Sequence, residues 1–329
     1  MSAVTRREIL KTASLLGAYG AAPFAMNLLP FNALAASTDG YKALVCVFLF
    51  GGMDNHDTVL PYDQTSYDQY ASLRRTLMNE YNGLQGGSSR TLARLLALNP
   101  SNASAFGGRQ FALPEALAPI HQLFESGQAA IVGNVGPLIE PLNRTQWRNG
   151  GARTPERLFS HNDQQSTWMA AAPEGASFGW GGRLADMAIA SRANTNASFT
   201  AVSVSGNTVY LNGQEATGFS LGLNGPEQIR AIDRTTLYNS PSLPGQIADL
   251  VQDVPNVRAN LFERDVATIH RRSIALNRDL EAALSAQAPF ATVFPQSGLA
   301  QQMQAVARMI AARATLGVSR QIFFVSTGG

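Results

Sequence analysis

The chain has 329 residues, 45% hydrophobic and 15% charged, with 16 Phe, 8 Tyr and 3 Trp. That much apolar material builds a large core, which excludes a disordered chain and a small stapled fold; the single cysteine, Cys46, leaves no internal disulfide and no Cys cluster for zinc or iron–sulfur. Three of the 25 basic and one of the 23 acidic residues lie in residues 1–36, which leaves 22 of each in the rest, so there is no electrostatic footprint for nucleic acid or anionic lipid.

The opening Thr5-Arg6-Arg7-Glu8-Ile9-Leu10-Lys11, followed by a mostly apolar stretch from Ala13 to Ala36, reads as a twin-arginine export signal. Pro23, Asn27 and Pro30 make it a poor membrane span, and Ala33-Leu34-Ala35 supplies a small-x-small cleavage pattern before Ala36. The expected partner is the twin-arginine export machinery, and the mature chain, without a membrane span, is expected in the periplasm or secreted. That route carries folded proteins, often loaded with a metal or cofactor.

Ala43 to Phe50 is a continuous apolar run without alternation, the pattern of a strand buried on both faces, closed by Gly51-Gly52. Ser66 to Tyr81 predicts a helix, and Gly83 to Ser89 a Gly/Ser loop. Leu113-Pro114-Glu115 opens another helix whose apolar face is Leu117, Ile120, Leu123 and Phe124, stopped at Gly127. Ala129 to Val135 predicts a second buried strand, so that strand, helix and strand argue for a parallel α/β sheet. Phe199 to Val204 and Thr208 to Leu211 predict a hairpin. A long helical pattern from Asn256 to Gln287 carries the stripe Phe262, Val266, Ile269, Leu276, Leu280, Leu284, opposite a charged face. A last helix, Leu299 to Arg313, leads into a third buried strand, Gln321 to Ser326.

No Walker A loop, G-x-G-x-x-G, H-E-x-x-H, C-x-x-C or G-x-S-x-G motif occurs; without a Gly-rich fingerprint, a nucleotide-cofactor role is disfavoured. Two polar segments remain. In Gly51 to Thr58, Asp54, His56, Asp57 and Thr58 follow the first strand; they suit a hard or borderline divalent metal, with Asp54 foremost and His56 beside it, or else a capped turn. In Phe159 to Trp168, Ser160 beside His161 suggests nucleophile and support. Neighbouring side chains diverge by about 100° in a helix, so metal activation of Ser160 fits better than a direct dyad. The competing reading makes Ser160 a helix cap with Asp163 in the first turn. His121 and His270 read as packing or surface residues. The glycines of Gly179-Trp180-Gly181-Gly182-Arg183 let backbone approach something closely, and Arg183 is a candidate for an anionic substrate.

Taken in order, several segments resemble a known exported family. They are the twin-arginine leader, Gly51 to Tyr62, Leu113 to Ile120, Gly133 to Gly136, Ser160 to Trp168, and Gly179 to Asp186. The chain is similar to domain-of-unknown-function family 1501, placed in the alkaline phosphatase/sulfatase superfamily. The resemblance implies an alkaline-phosphatase-like three-layer α/β/α sandwich over residues 37–329, with about 195–290 as an insertion or lid. It implies a metal-dependent hydrolase of small anionic phosphate or sulfate esters, with a divalent ion (zinc, calcium or magnesium) on Asp54 and a nucleophile loosely at Ser160. The family continues past its Ile-Phe-Phe-Val-Ser-x-Gly-Gly strand into Phe-Asp-Thr-His and later Asp-His-Gly. This chain ends at Gly329 before them, so the resemblance implies an incomplete, inactive metal site. The alternative is a non-catalytic exported binding or assembly protein on the same fold.

Overall fold

The structure, a computed structural model, describes residues 40–51, 53–83, 89–227, 231–252 and 260–328. The segment 1–36 expected to be an export leader, most of the expected Gly/Ser loop and Gly329 lie outside the described residues. The described chain divides into two compact units: unit 1 takes in the chain through Phe50 and again from Pro137, and unit 2 runs from Gly51 to Gly136.

Unit 1 is built on four parallel strands: β1 (Lys42–Leu49), β5 (Ala201–Ser203), β6 (Phe219–Ser220) and β7 (Arg320–Thr327), ordered β1-β7-β5-β6. Its helices are α4 (Arg144–Asn149), α5 (His161–Ala170), α6 (Trp180–Ala190), α7 (Leu243–Gln252), α8 (Leu261–Ser285) and α9 (Gly298–Ala311). Strand side chains alternate between faces, so each strand feeds two cores. Phe323 and Val325 of β7 join Val202 of β5, Leu280 and Leu284 of α8, and Val306 and Met309 of α9. Ile322 and Phe324 join Met169 of α5, Leu184 and Ala185 of α6, and Tyr210 on the opposite face. Unit 1 is therefore a mixed α/β layer structure with helices on both sides of a parallel sheet.

β7 is buried along most of its length because it lies between β1 and β5. β1 reads in sequence as equally central, yet among the described residues it is the sheet's edge, with Val47 and Leu49 exposed. At the amino end of the sheet, buried polar groups are paired. Asn194 Oδ1 accepts from the Ser319 and Arg320 N–H groups at 2.7 and 2.9 Å, and Gln321 Nε2 donates to the Phe199 carbonyl at 3.0 Å. Tyr41 donates to Gln321 Oε1 at 2.7 Å, and burial pushes its phenol up to about 12.

Unit 2 holds a small antiparallel sheet, β2 (Leu60–Pro61), β4 (Phe111–Leu113) and β3 (Leu96–Ala97) in that order. Its helices are α1 (Gln64–Leu73), α2 (Arg75–Gly83) and α3 (Ala118–Glu125). Leu60, Leu95 and Ala112 pack under Tyr62, Tyr67 and Tyr70.

Several expectations are corrected. The single helix expected over Ser66 to Tyr81 is two, parted at Arg74, which has left the helical region at φ −110° and ψ 26°. Ala129 to Val135 forms no strand: Asn134 takes a left-handed φ of 59°, which breaks the extended run, and Val132 is 80% exposed. The hairpin is absent, because β5 pairs in parallel with β6 and β7 while Val209–Leu211 is a 3-10 turn. Residues 195–290, read as an insertion or lid, supply β5 and β6 to the main sheet. Ile120 and Leu123 on the supposed inner face of α3 are exposed, as are Phe262, Val266 and Ile269 of α8.

Candidate functional site

In unit 2, the polar loop after β1 is taken up by structure. Asp54 caps the 3-10 turn Asn55–Asp57, its Oδ1 accepting the His56 N–H at 3.1 Å, and its carboxylate pairs with the Arg74 guanidinium. Asp57 is nearly buried; Arg90 donates to it from Nε at 2.9 and 3.0 Å and from Nη2 at 2.6 Å, and Tyr70 adds its hydroxyl at 3.2 Å. His56 is exposed on the same turn. Among the described residues, no group of three or more His, Cys, Asp or Glu side chains is placed to hold a metal ion. Asp54 already has the Arg74 cation beside it and the Asp57 carboxylate is taken up by Arg90, while His56 stays exposed on the loop. The sequence carried no sign of Arg74 or Arg90, since each partner lies more than a turn of helix away along the chain.

In unit 1, Ser160 and His161 are brought to one place. Ser160 caps α5, its Oγ accepting the Asp163 N–H at 3.4 Å, and His161 is the first helical residue, exposed. Asp163 is buried in the first turn, where its Oδ1 accepts the Glu174 N–H at 3.0 Å and lies 3.6 Å from Arg157 Nη1. The Ser160 hydroxyl foremost, and then the Glu174 N–H, hold the Asp163 carboxyl below the ordinary carboxylate range. Ser160 is thus a cap coupled to a carboxylate rather than a hydroxyl coupled to an imidazole.

This helix start stands at the carboxyl edge of the parallel sheet, the position at which such sheets take their ligands. A cavity of about 290 Å³ lies there, walled by Phe48, Leu49 and Phe50 at the end of β1, by Phe159 and Trp168, and by the polar groups of Ser160, His161, Gln164 and Gln165. The walls are fixed. Phe50 N–H donates to the Thr327 carbonyl at 3.0 Å, the Phe48 and Phe50 rings meet edge to face at 4.9 Å, and Trp180 Nε1 donates to the Trp168 carbonyl at 3.0 Å. Gln302 of α9 clamps the neighbouring strand end, accepting the Ser326 N–H at 2.9 Å and donating to the Ser326 carbonyl at 2.8 Å.

One wall group is unsatisfied: the Gln164 side-chain nitrogen is buried without a hydrogen-bond partner. A buried donor left unpaired costs about 1–3 kcal/mol, so a ligand oxygen that reached it would gain by removing that cost. A second cavity of about 310 Å³ shares Phe50 and Gln165 and adds Glu174, Ser205, Asn207 and Thr208. A third, of about 390 Å³, shares Asn207 and Thr208 and reaches Asn212 and Thr217. The three follow the carboxyl edge from β1 towards β6.

Three glycines of the Gly179–Arg183 segment lie hard against neighbouring chain. A Cβ on Gly179 would stand 2.2 Å from the Val209 carbonyl oxygen, one on Gly181 2.4 Å from the Tyr210 ring, and one on Gly182 2.0 Å from the Asn212 carbonyl oxygen. The glycines serve α6's approach to the 3-10 turn behind the site, and Arg183 is exposed. Cys46 is free, and burial pushes its thiol up, away from the thiolate a nucleophile needs. His121 Nε2 sits 2.7 Å from the Ala97 carbonyl oxygen in unit 2, and His270 is exposed. No family model, curated protein or solved structure matches the chain.

Proposed function

We propose that the chain is an exported protein that binds a small anionic ester, a phosphate or sulfate monoester, at the carboxyl edge of its parallel sheet. The single observation that carries this reading is the unpaired, buried Gln164 amide nitrogen in the wall of the cavity at the start of α5. The anion sits over the helix start, where backbone N–H groups and the helix dipole favour negative charge, with the Gln164 and His161 donors around it. The ester's organic group lies against Phe48, Phe50, Phe159 and Trp168. The scaffold is read as an alkaline-phosphatase-like sandwich and the export as twin-arginine dependent, both from the resemblance described above.

The same resemblance makes the protein hydrolase-like, with Ser160 as nucleophile, His161 as its support and a divalent ion on Asp54. Two observations favour binding over turnover: Asp54 is paired with Arg74, and the Ser160 hydroxyl is shared with Asp163. Hydrolysis is therefore the second reading.

Calorimetry with phenyl phosphate and phenyl sulfate, beside release of 4-nitrophenol from the matching esters with added zinc, calcium or magnesium, separates the two. Saturable binding that weakens about tenfold in Gln164→Leu, without turnover, is the expected result. Metal-dependent turnover abolished by Ser160→Ala would put the hydrolase first. Absence of binding by either ester would overturn the proposal.

A further inference from the structure

The apolar stripe of α8 splits in two. Leu280 and Leu284 are buried against the sheet, whereas Phe262, Val266 and Ile269, four and three residues apart, are 78%, 50% and 61% exposed. At this end the helix buries the opposite side instead, through Ala267 and Ile274. Three large apolar side chains in one row on a 25-residue helix form an unpartnered seam.

The charges beside the seam identify what fits it. In a heptad, Phe262 and Ile269 occupy d and Val266 and Ser273 occupy a. The e positions are then Glu263 and His270, and the g positions Asp265 and Arg272, all exposed. When two such helices run antiparallel, e faces e and g faces g across the seam. With Val266 against Ile269 at the centre, the large Phe262 meets the small Ser273, Asp265 meets Arg272, and Glu263 meets His270, each contact made twice by symmetry. A parallel pair would set Arg272 towards Asn277 and stack Phe262 on Phe262, losing both the Asp265–Arg272 pairs and the seat of Phe262 on Ser273. The segment is thus complementary in size and charge to itself reversed, as an isologous two-fold interface requires.

We propose that residues Phe262 to Ser273 of α8 pair antiparallel with the same segment of a second copy of this chain. The seam is about 17 Å long at 1.5 Å per residue, which places it among small interfaces and sets a dissociation constant in the micromolar range.

Sedimentation velocity on the full chain up to about 100 μM tests this, since a micromolar dimer is nearly saturated there. The expected result is a concentration-dependent dimer. Asp265→Arg places arginine against Arg272, and Arg272→Asp places aspartate against Asp265, so each variant alone should associate about tenfold more weakly or worse. An equimolar mixture of the two restores both pairs and should recover a heterodimer of wild-type affinity. Circular dichroism confirms that these exposed substitutions leave the fold intact. A monomer at every concentration overturns the proposal, as does a dimer indifferent to both substitutions. So does a monomer that binds phosphatidylglycerol vesicles and loses that binding in Ile269→Glu, which would assign the seam to a membrane surface.

Discussion

Removing the Arg90 guanidinium should unfasten unit 2. Asp57 is 9% exposed and receives three contacts from Arg90 and one from Tyr70. Arg90→Ala leaves that carboxylate buried without its cation, a loss of about 3–5 kcal/mol in comparable cases. The remaining Tyr70 hydroxyl offsets about 1 kcal/mol, and the stacking of Arg90 on Tyr81, at 4.7 Å from the ring centre, is lost as well. The net expectation is about 3 kcal/mol, which accelerates globally limited hydrogen exchange by about two orders of magnitude. Exchange mass spectrometry over Leu60 to Leu113 reads this directly. Arg90→Lys keeps the charge but not the fork and should fall between. The double variant Asp57→Leu/Arg90→Met should recover to within about 1–2 kcal/mol of wild type, because two apolar groups leave nothing unpaired. Acceleration below about fivefold in Arg90→Ala would refute the argument and return Asp57 to the pool of free carboxylates.

Ser160→Ala should cost about 0.5–2 kcal/mol of stability as a lost helix cap. It should also let the Asp163 carboxyl rise towards its ordinary value, seen by carbon-13 NMR titration. In the native chain the depressed Asp163 contributes stability at pH values above the ordinary carboxylate range, and that contribution is lost as pH falls through its native value. Tyr41, raised to about 12, binds its proton more tightly folded than unfolded. Its contribution is therefore complete below about 10 and lost as pH climbs from there to 12; Tyr41→Phe should remove one late-ionising phenol from the ultraviolet titration, and a phenol lost near 10 instead would contradict the burial. Gly182→Ala drives a methyl into the Asn212 carbonyl group and should reach or exceed the upper end of about 1–3 kcal/mol by thermal denaturation.

The parts of the fold that the sequence makes legible are those with a dense local signal. β7 carries the apolar run Ile322 to Val325 and is buried along it; α9 follows its 3.6-residue period, with Val306 buried. Ala129 to Val135 has similar composition but lacks a place in either sheet, and nothing local distinguishes a run that gains strand partners from one that does not. For the same reason β1 reads as central and, among the described residues, stands at an edge. The Ser160 cap was visible as one of two readings because capping is a three-residue pattern. The occupation of Asp54 and Asp57 was not, since it depends on arginines brought in by α1, α2 and the segment before β3. The Gly179–Gly182 run signalled a close approach correctly in kind; only the fold reveals that the approaching group is Val209 to Asn212.

Binding of the anion in the cavity at the start of α5, as proposed, would be visible residue by residue. A two-dimensional NMR titration of the isotope-labelled chain with phenyl phosphate, following backbone and side-chain amides, tests it most directly. Saturable shifts are expected at Ser160 to Gln165 and at Phe48 to Phe50, with the Gln164 side-chain NH₂ among the largest. Saturable shifts gathered elsewhere, around Asp54 and Arg74 for example, or a Gln164 side chain that does not move, would contradict it.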